Sequence, residues 1–197
     1  MNHSIYHRRS IRKYSDKQVP KEMIAQIIDA GRMSPSAKNR QPWRYIVLGG
    51  ENKSEFLQHM WKGIIREENE RAMLPDSKNG IPDAKNTWKI MMKAPILIVV
   101  LNTNGKNPFD VIDSDGRIAE ICDTLSIGAS IENMLLKATE MNLGTLWIAN
   151  TCYAYKEITE YLETDQQLIG AIALGYADES PAQRPRKNME DIVEYRL

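Results

Sequence analysis

The stretch SPSAKNRQPWRYIVL, residues 34–48, passes within a few positions from a cluster of hydrogen-bonding side chains to a β-branched apolar run. RYIVLGG, from Arg44 to Gly50, is short, β-branched and closed by glycine, which predicts a strand. A core strand alone has no need of Pro35, Ser36, Asn39 and Gln41 at its entrance, so those groups call for a turn or a ligand that uses them.

Upstream of it, VPKEMIAQIIDAGRM sets Met23, Ile24, Ile27, Ile28 and Gly31 at helical spacing behind a proline and a charged first turn. That segment predicts an amphipathic helix. Downstream, residues Lys53 to Arg71 read as a second helix, and LPDSKNGIPDAKN, Leu74 to Asn86, is rich in turn formers and predicts a mobile connection. A further helix near Trp88 to Lys93 leads into a buried strand at Pro95 to Leu101. The longest periodic segment runs from Arg117 to Met141 and is apolar on more than one side, which places it centrally or at a subunit interface. GTLWIA, a short helix around Tyr155 to Leu162, the strand LIGAIALGY and a charged tail complete the order. Alternating helices and strands of this kind indicate an α+β or α/β layered domain.

At 197 residues and 42% apolar content, the chain can bury one core, so residues 1–197 are expected to form a single domain. The 26 basic and 26 acidic side chains balance, so the bulk charge calls for neither nucleic acid nor an anionic membrane. Their distribution is uneven. Met1 to Arg44 holds ten basic residues against three acidic, and Gly105 to Asp165 holds four against eleven. Cys122 and Cys152 lack metal-site spacing and read as buried free thiols. APILIVVL, the longest apolar run, is too short to span a bilayer, and the basic N-terminus has no apolar segment behind it, so a soluble cytoplasmic protein is expected. No GxGxxG follows the first strand and no P-loop occurs, so a bound phosphate would have to be held by separate side chains.

Such side chains exist. HRRSIR alternates Arg8, Ser10 and Arg12, which project to one side of an extended segment and turn Arg9 the other way. RPRK alternates Arg184 and Arg186 near the other end. Guanidinium groups hold phosphate bidentately and a hydroxyl between them adds a donor, although each element taken alone also fits a solvated basic arm.

Three separated motifs, RRSIRKY, SPSAKNRQPWRYIVL and GYADESPAQRPRK, together resemble the FMN-dependent nitroreductase family in order and spacing across essentially the whole chain. The resemblance implies a central, mostly antiparallel sheet of four or five strands flanked by helices, in an intertwined homodimer with FMN at the subunit interface. It implies that Arg8, Arg9, Ser10, Arg184 and Arg186 hold the phosphate end, and that Arg12 reaches the pyrimidine side of the ring. Pro35, Ser36 and Asn39 would line the flavin from the partner subunit, and main-chain N–H groups near Ile148 and Ala149 would face N5 and O4. Asn86 and Lys89 lie near a family position that approaches the flavin, without a secure register. The terminal IVEYRL run would join the partner's sheet.

The implied activity transfers hydride from NADPH or NADH to an electron-poor small molecule (a nitroaromatic, a quinone or another flavin) by a ping-pong cycle. No catalytic side chain or metal is called for, because the flavin carries the redox chemistry. Two other classes stay open: a relative repurposed for dehalogenation, azoline oxidation or flavin fragmentation, and a non-catalytic flavin-binding or nucleic-acid-binding protein.

Overall fold

The apolar run Ile96–Asn102 lies in the interior of a four-stranded sheet in a computed structural model that describes residues 3–69 and 72–197. The strands are β1 (Trp43–Gly49), β2 (Ile96–Asn102), β3 (Gly144–Ile148) and β4 (Gln167–Gly175), paired antiparallel in the order β1-β2-β4-β3. Leu97 to Leu101 are 0% exposed because both faces of the sheet are covered. Leu97, Val99 and Leu101 face one cluster, and Ile98 and Val100 face the other, as the two-residue period of a strand requires.

The helices are α1 (His3–His7), α2 (Lys21–Arg32), α3 (Gly50–Asn69), α4 (Ile81–Lys93), α5 (Ser114–Glu140) and α6 (Tyr155–Tyr161). Phe56, Met60 and Ile64 of α3, Met91 of α4 and Ile158 of α6 build the first cluster. Ile24 and Ile27 of α2 with Ile127, Ile131 and Met134 of α5 build the second. The expected α+β architecture is therefore present, with four strands that are all antiparallel.

Helix α5 is framed at both ends by its sequence. The Asp113 side chain accepts from the Gly116 N–H at 2.7 Å, an N-cap. At the other end Asn142 takes a left-handed conformation (φ 58°), while Asn142 and Leu143 donate back to Thr139 and Ala138 at 3.1 and 2.8 Å. Its buried stripe from Ile127 to Ala138 faces α2 and the sheet, and Ile118, Ile121 and Leu125 are left exposed on this chain.

Two expectations change. Leu74 to Asn86 is not a loose connection: Pro75–Gly80 forms a 3-10 turn and α4 already begins at Ile81. Pro82 sits in the first helical turn, where a missing N–H costs nothing. Neither cysteine is buried. Cys152 is exposed because its 3-10 turn directs Thr151, Tyr153 and Ala154 inward, and Cys122 is half-buried on α5. The helix expected to reach Arg71 is seen to Asn69, and Arg71 lies outside the described residues.

A buried carboxylate ties α3 to the chain that follows it. Glu67, 1% exposed, accepts from the Met73 and Leu74 amides at 2.8 and 3.1 Å and from Arg66 at 2.5 Å. Arg66 also clamps Glu157 of α6 with bonds of 2.6 and 3.1 Å. Burial opposes the Glu67 charge, but these donors outweigh it and hold its carboxyl below the usual range. A depressed folded-state value contributes stability that is present above the unfolded value of about 4.5 and is lost as the pH falls through the depressed one. Urea unfolding from pH 7 down to pH 3 should therefore show a shallower acid loss for Glu67→Gln, with a cost of about 3 kcal/mol at neutral pH from the weakened ion cluster. A wild-type acid limb identical to that of the variant would contradict this.

Candidate functional site

The two ends of the chain meet beside β3. Ser10 bridges Thr145 in parallel, and the Ile11 N–H donates to the Thr145 carbonyl at 2.9 Å. Tyr14 bridges Ala177, Ser15 donates to Tyr176 at 3.0 Å, and Asp178 donates to Lys13 at 2.9 Å. These pairings bring the arginines of both segments to a common space. Glu179 completes the junction, its Oε1 accepting from the main-chain N–H groups of Arg12 and Lys13 at 2.5 and 3.2 Å.

That space is a cleft of about 160 Å³ whose lining includes Arg8, Arg9, Ser10, Arg12, Arg184 and Arg186. Among the described residues, only Arg8 of this set meets a carboxylate, Glu132, at 3.1 Å. Arg9 folds back onto the Tyr6 and Arg8 carbonyls at 2.7 and 2.8 Å, which brings it into the cleft despite the alternation. Arg12 and Arg186 likewise donate only to nearby main-chain carbonyls, Ser10 at 3.1 Å and Arg184 and Pro185 at 3.1 and 3.3 Å. The Arg184 guanidinium and the Ser10 hydroxyl have no partner among the described residues. Five cations against one carboxylate make a strongly electropositive pocket with free donors, which suits a phosphate dianion.

Arg12 also lines a second cleft of about 170 Å³, so the two adjoin through its side chain. The walls of this second space are the end of β3, with Ile148 and Ala149, and the facing residues Asp83, Asn86 and Thr87 of α4. Gly170 keeps the end of β3 close: a Cβ there would lie 2.4 Å from the Ile148 carbonyl oxygen. The Asn150 amide donates to Asp83 at 2.8 Å and Thr87 at 3.0 Å, fastening α4 to the turn after β3.

Pro35, Ser36 and Asn39 line neither cleft of this chain. They sit in a turn in which Lys38, Asn39 and Gln41 all have positive φ, of 54°, 54° and 49°. Non-glycine residues held there store backbone strain, which persists only where surroundings over-determine it. Here the Ser36 hydroxyl accepts from Gln41 N–H at 3.0 Å, Ser126 of α5 accepts from Ala37 N–H at 3.2 Å, and Arg40 grips buried Asp123 at 2.8 and 2.6 Å. The Asn39 side chain is left exposed with no partner among the described residues.

Sequence reasoning missed four contributors. Glu179 lay inside a recognised motif, yet its grip acts on amides 167 and 166 positions away. Asp83, Thr87 and Asn150 come together only once α4 packs across the end of β3. Asn86, left without a register by the sequence, is placed in the second cleft, and Lys89 is not part of its lining.

The fold is a layered α+β one in which a cationic cleft adjoins a slot beside a strand end. The nitroreductase family model matches residues 5–176, and the chain belongs to the nitroreductase family. An Archaeoglobus fulgidus relative with the provisional name NADH dehydrogenase/NAD(P)H nitroreductase is 29% identical over 178 residues, covering 87% of this chain and 82% of the relative. Hydra vulgaris iodotyrosine deiodinase is 29% identical over 150 residues, 70% of this chain and 54% of that protein. The FMN-dependent nitroreductase of Mycobacterium smegmatis, solved in complex with NADPH, superposes with a TM-score of 0.75 at 14% identity, covering 99% of this chain and 97% of that one.

Inorganic phosphate added to the purified protein should raise its Tm in a saturable way, whereas chloride at equal ionic strength should not. Arg184→Ala should weaken that response about tenfold or more, the loss expected for a hydrogen bond to a charged group.

Proposed function

We propose that this chain is an FMN-dependent oxidoreductase that accepts reducing equivalents from NADPH or NADH and hands them to an electron-poor small molecule in a ping-pong cycle. The observation that carries this reading is the cluster of under-compensated arginines and the Ser10 hydroxyl, joined through Arg12 to the slot along Ile148 and Ala149. Bound there, FMN would take hydride at N5 and pass it on to the acceptor. Everything else is the work of the protein.

Arg8, Arg9, Ser10, Arg184 and Arg186 would hold the phosphate, Ser10 from backbone paired with β3 and the two C-terminal arginines from the segment that follows the Glu179 junction. Arg12, common to both clefts, would place its guanidinium toward the pyrimidine side of the ring and favour negative charge there, which raises the tendency to accept hydride. Main-chain groups at Ile148 and Ala149 would border the reactive edge. Pro35, Ser36 and Asn39 would reach the ring from the partner subunit of a homodimer, a reading supported by their position outside this chain's own clefts and by the strained turn that presents Asn39. The exposed Ile118, Ile121 and Leu125 on α5 are the apolar surface such a dimer would cover. Among the described residues no helix is long and apolar enough to cross a membrane.

The purified chain should be yellow or become so with FMN, and anaerobic NADPH or NADH should bleach it in stopped flow. A chain that takes up no FMN would overturn the reading. Flavin that stays oxidised with both nicotinamides would favour a different flavin reaction, the reading to which the iodotyrosine deiodinase relative lends weight. Asn39→Ala should lose FMN about tenfold more readily with its unfolding transition unchanged, the effect of one lost polar contact near 1.4 kcal/mol. A stable monomer retaining FMN would contradict the contribution across the interface.

A further inference from the structure

We propose that Asp83 sets the charge preference for the electron acceptor, favouring aromatic acceptors that carry a cation or an N–H donor over anionic ones. The inference rests on the flavin reading above and concerns the slot that the ring and acceptor would share. Of the residues lining that slot only Arg12 and Asp83 are charged. Arg12 belongs also to the phosphate cleft and, with cofactor bound, faces the cofactor. Asp83 is then the one charge that this chain's own lining of the slot leaves to an incoming acceptor.

Its geometry suits that part. One carboxylate oxygen, Oδ2, is held by the Asn150 amide at 2.8 Å, and the same amide holds Thr87, itself 7% exposed, at 3.0 Å. Among the described residues the other oxygen has no hydrogen-bond partner, and no lysine or arginine forms an ion pair with Asp83. A fixed, unpaired carboxylate at the mouth of a slot is an acceptor for ammonium or N–H groups and repels carboxylates.

The test uses flavin-loaded protein and three nitrobenzyl acceptors matched in shape: one with a trimethylammonium group, one neutral alcohol and one carboxylate. Wild type should favour the cation over the anion in kcat/KM by about tenfold at low salt, and Asp83→Asn should bring that ratio close to unity, as removing one nearby charge predicts. Binding of the unreactive benzyltrimethylammonium and benzoate ions to the oxidised protein, read by perturbation of the visible spectrum, should show the same ordering and the same collapse. FMN content is measured first from absorbance. Fully loaded Asp83→Asn that keeps the wild-type ratio, or a wild type that favours the anion, would overturn this inference and leave the flavin reading standing. A protein that binds no FMN would overturn both.

Discussion

The site depends on where one carboxylate is used. Glu179 could have neutralised an arginine, but its oxygen is engaged by the main-chain amides of Arg12 and Lys13. That choice does two things at once. It fastens the C-terminal segment against the N-terminal one, so that Arg184 and Arg186 arrive opposite Arg8 and Arg12. It also leaves the guanidinium groups short of negative partners, and a cluster of like charges with free donors is favourable only when an anion completes it.

The sheet supplies the rigidity that this arrangement needs. With β2 buried on both faces and α3, α4, α2 and α5 packed around it, the end of β3 is a fixed edge rather than a loop. Gly170 lets that edge approach β4 closely, and Asn150 draws α4 onto it, which shapes the second cleft. Helix α5 does comparable work through Ser126 and Asp123, which hold the strained turn at 38–41 in place. One long helix therefore both fills the core and presents a polar turn toward the outside.

Much of this was legible in the sequence, for reasons particular to each element. The β2 run is continuous because both of its faces are buried, and α5 stands out by its length and periodicity. The arginine pairs were legible because extended backbone converts alternation directly into a shared direction. Arg9 broke that rule by curling back onto carbonyls, a detail set by one rotamer. The start of α4 was hidden because Pro, Asp and Asn suit both a loop and a first helical turn. The Glu179 grip and the Asp83, Thr87 and Asn150 cluster join distant segments, and no local pattern encodes such contacts. The exposure of Cys152 followed from which side of a 3-10 turn faces the core.

On the reading proposed above, the arginine cluster anchors a flavin by its phosphate. A titration of the flavin-free protein with FMN and with riboflavin, followed by quenching of flavin fluorescence, isolates that contribution because the two ligands share the ring and differ in the phosphate. FMN should bind at least about a hundredfold more tightly than riboflavin, with the gap shrinking as salt is added, since several charge-assisted hydrogen bonds are at stake. Equal affinities for the two ligands would mean that the arginines do not hold the phosphate.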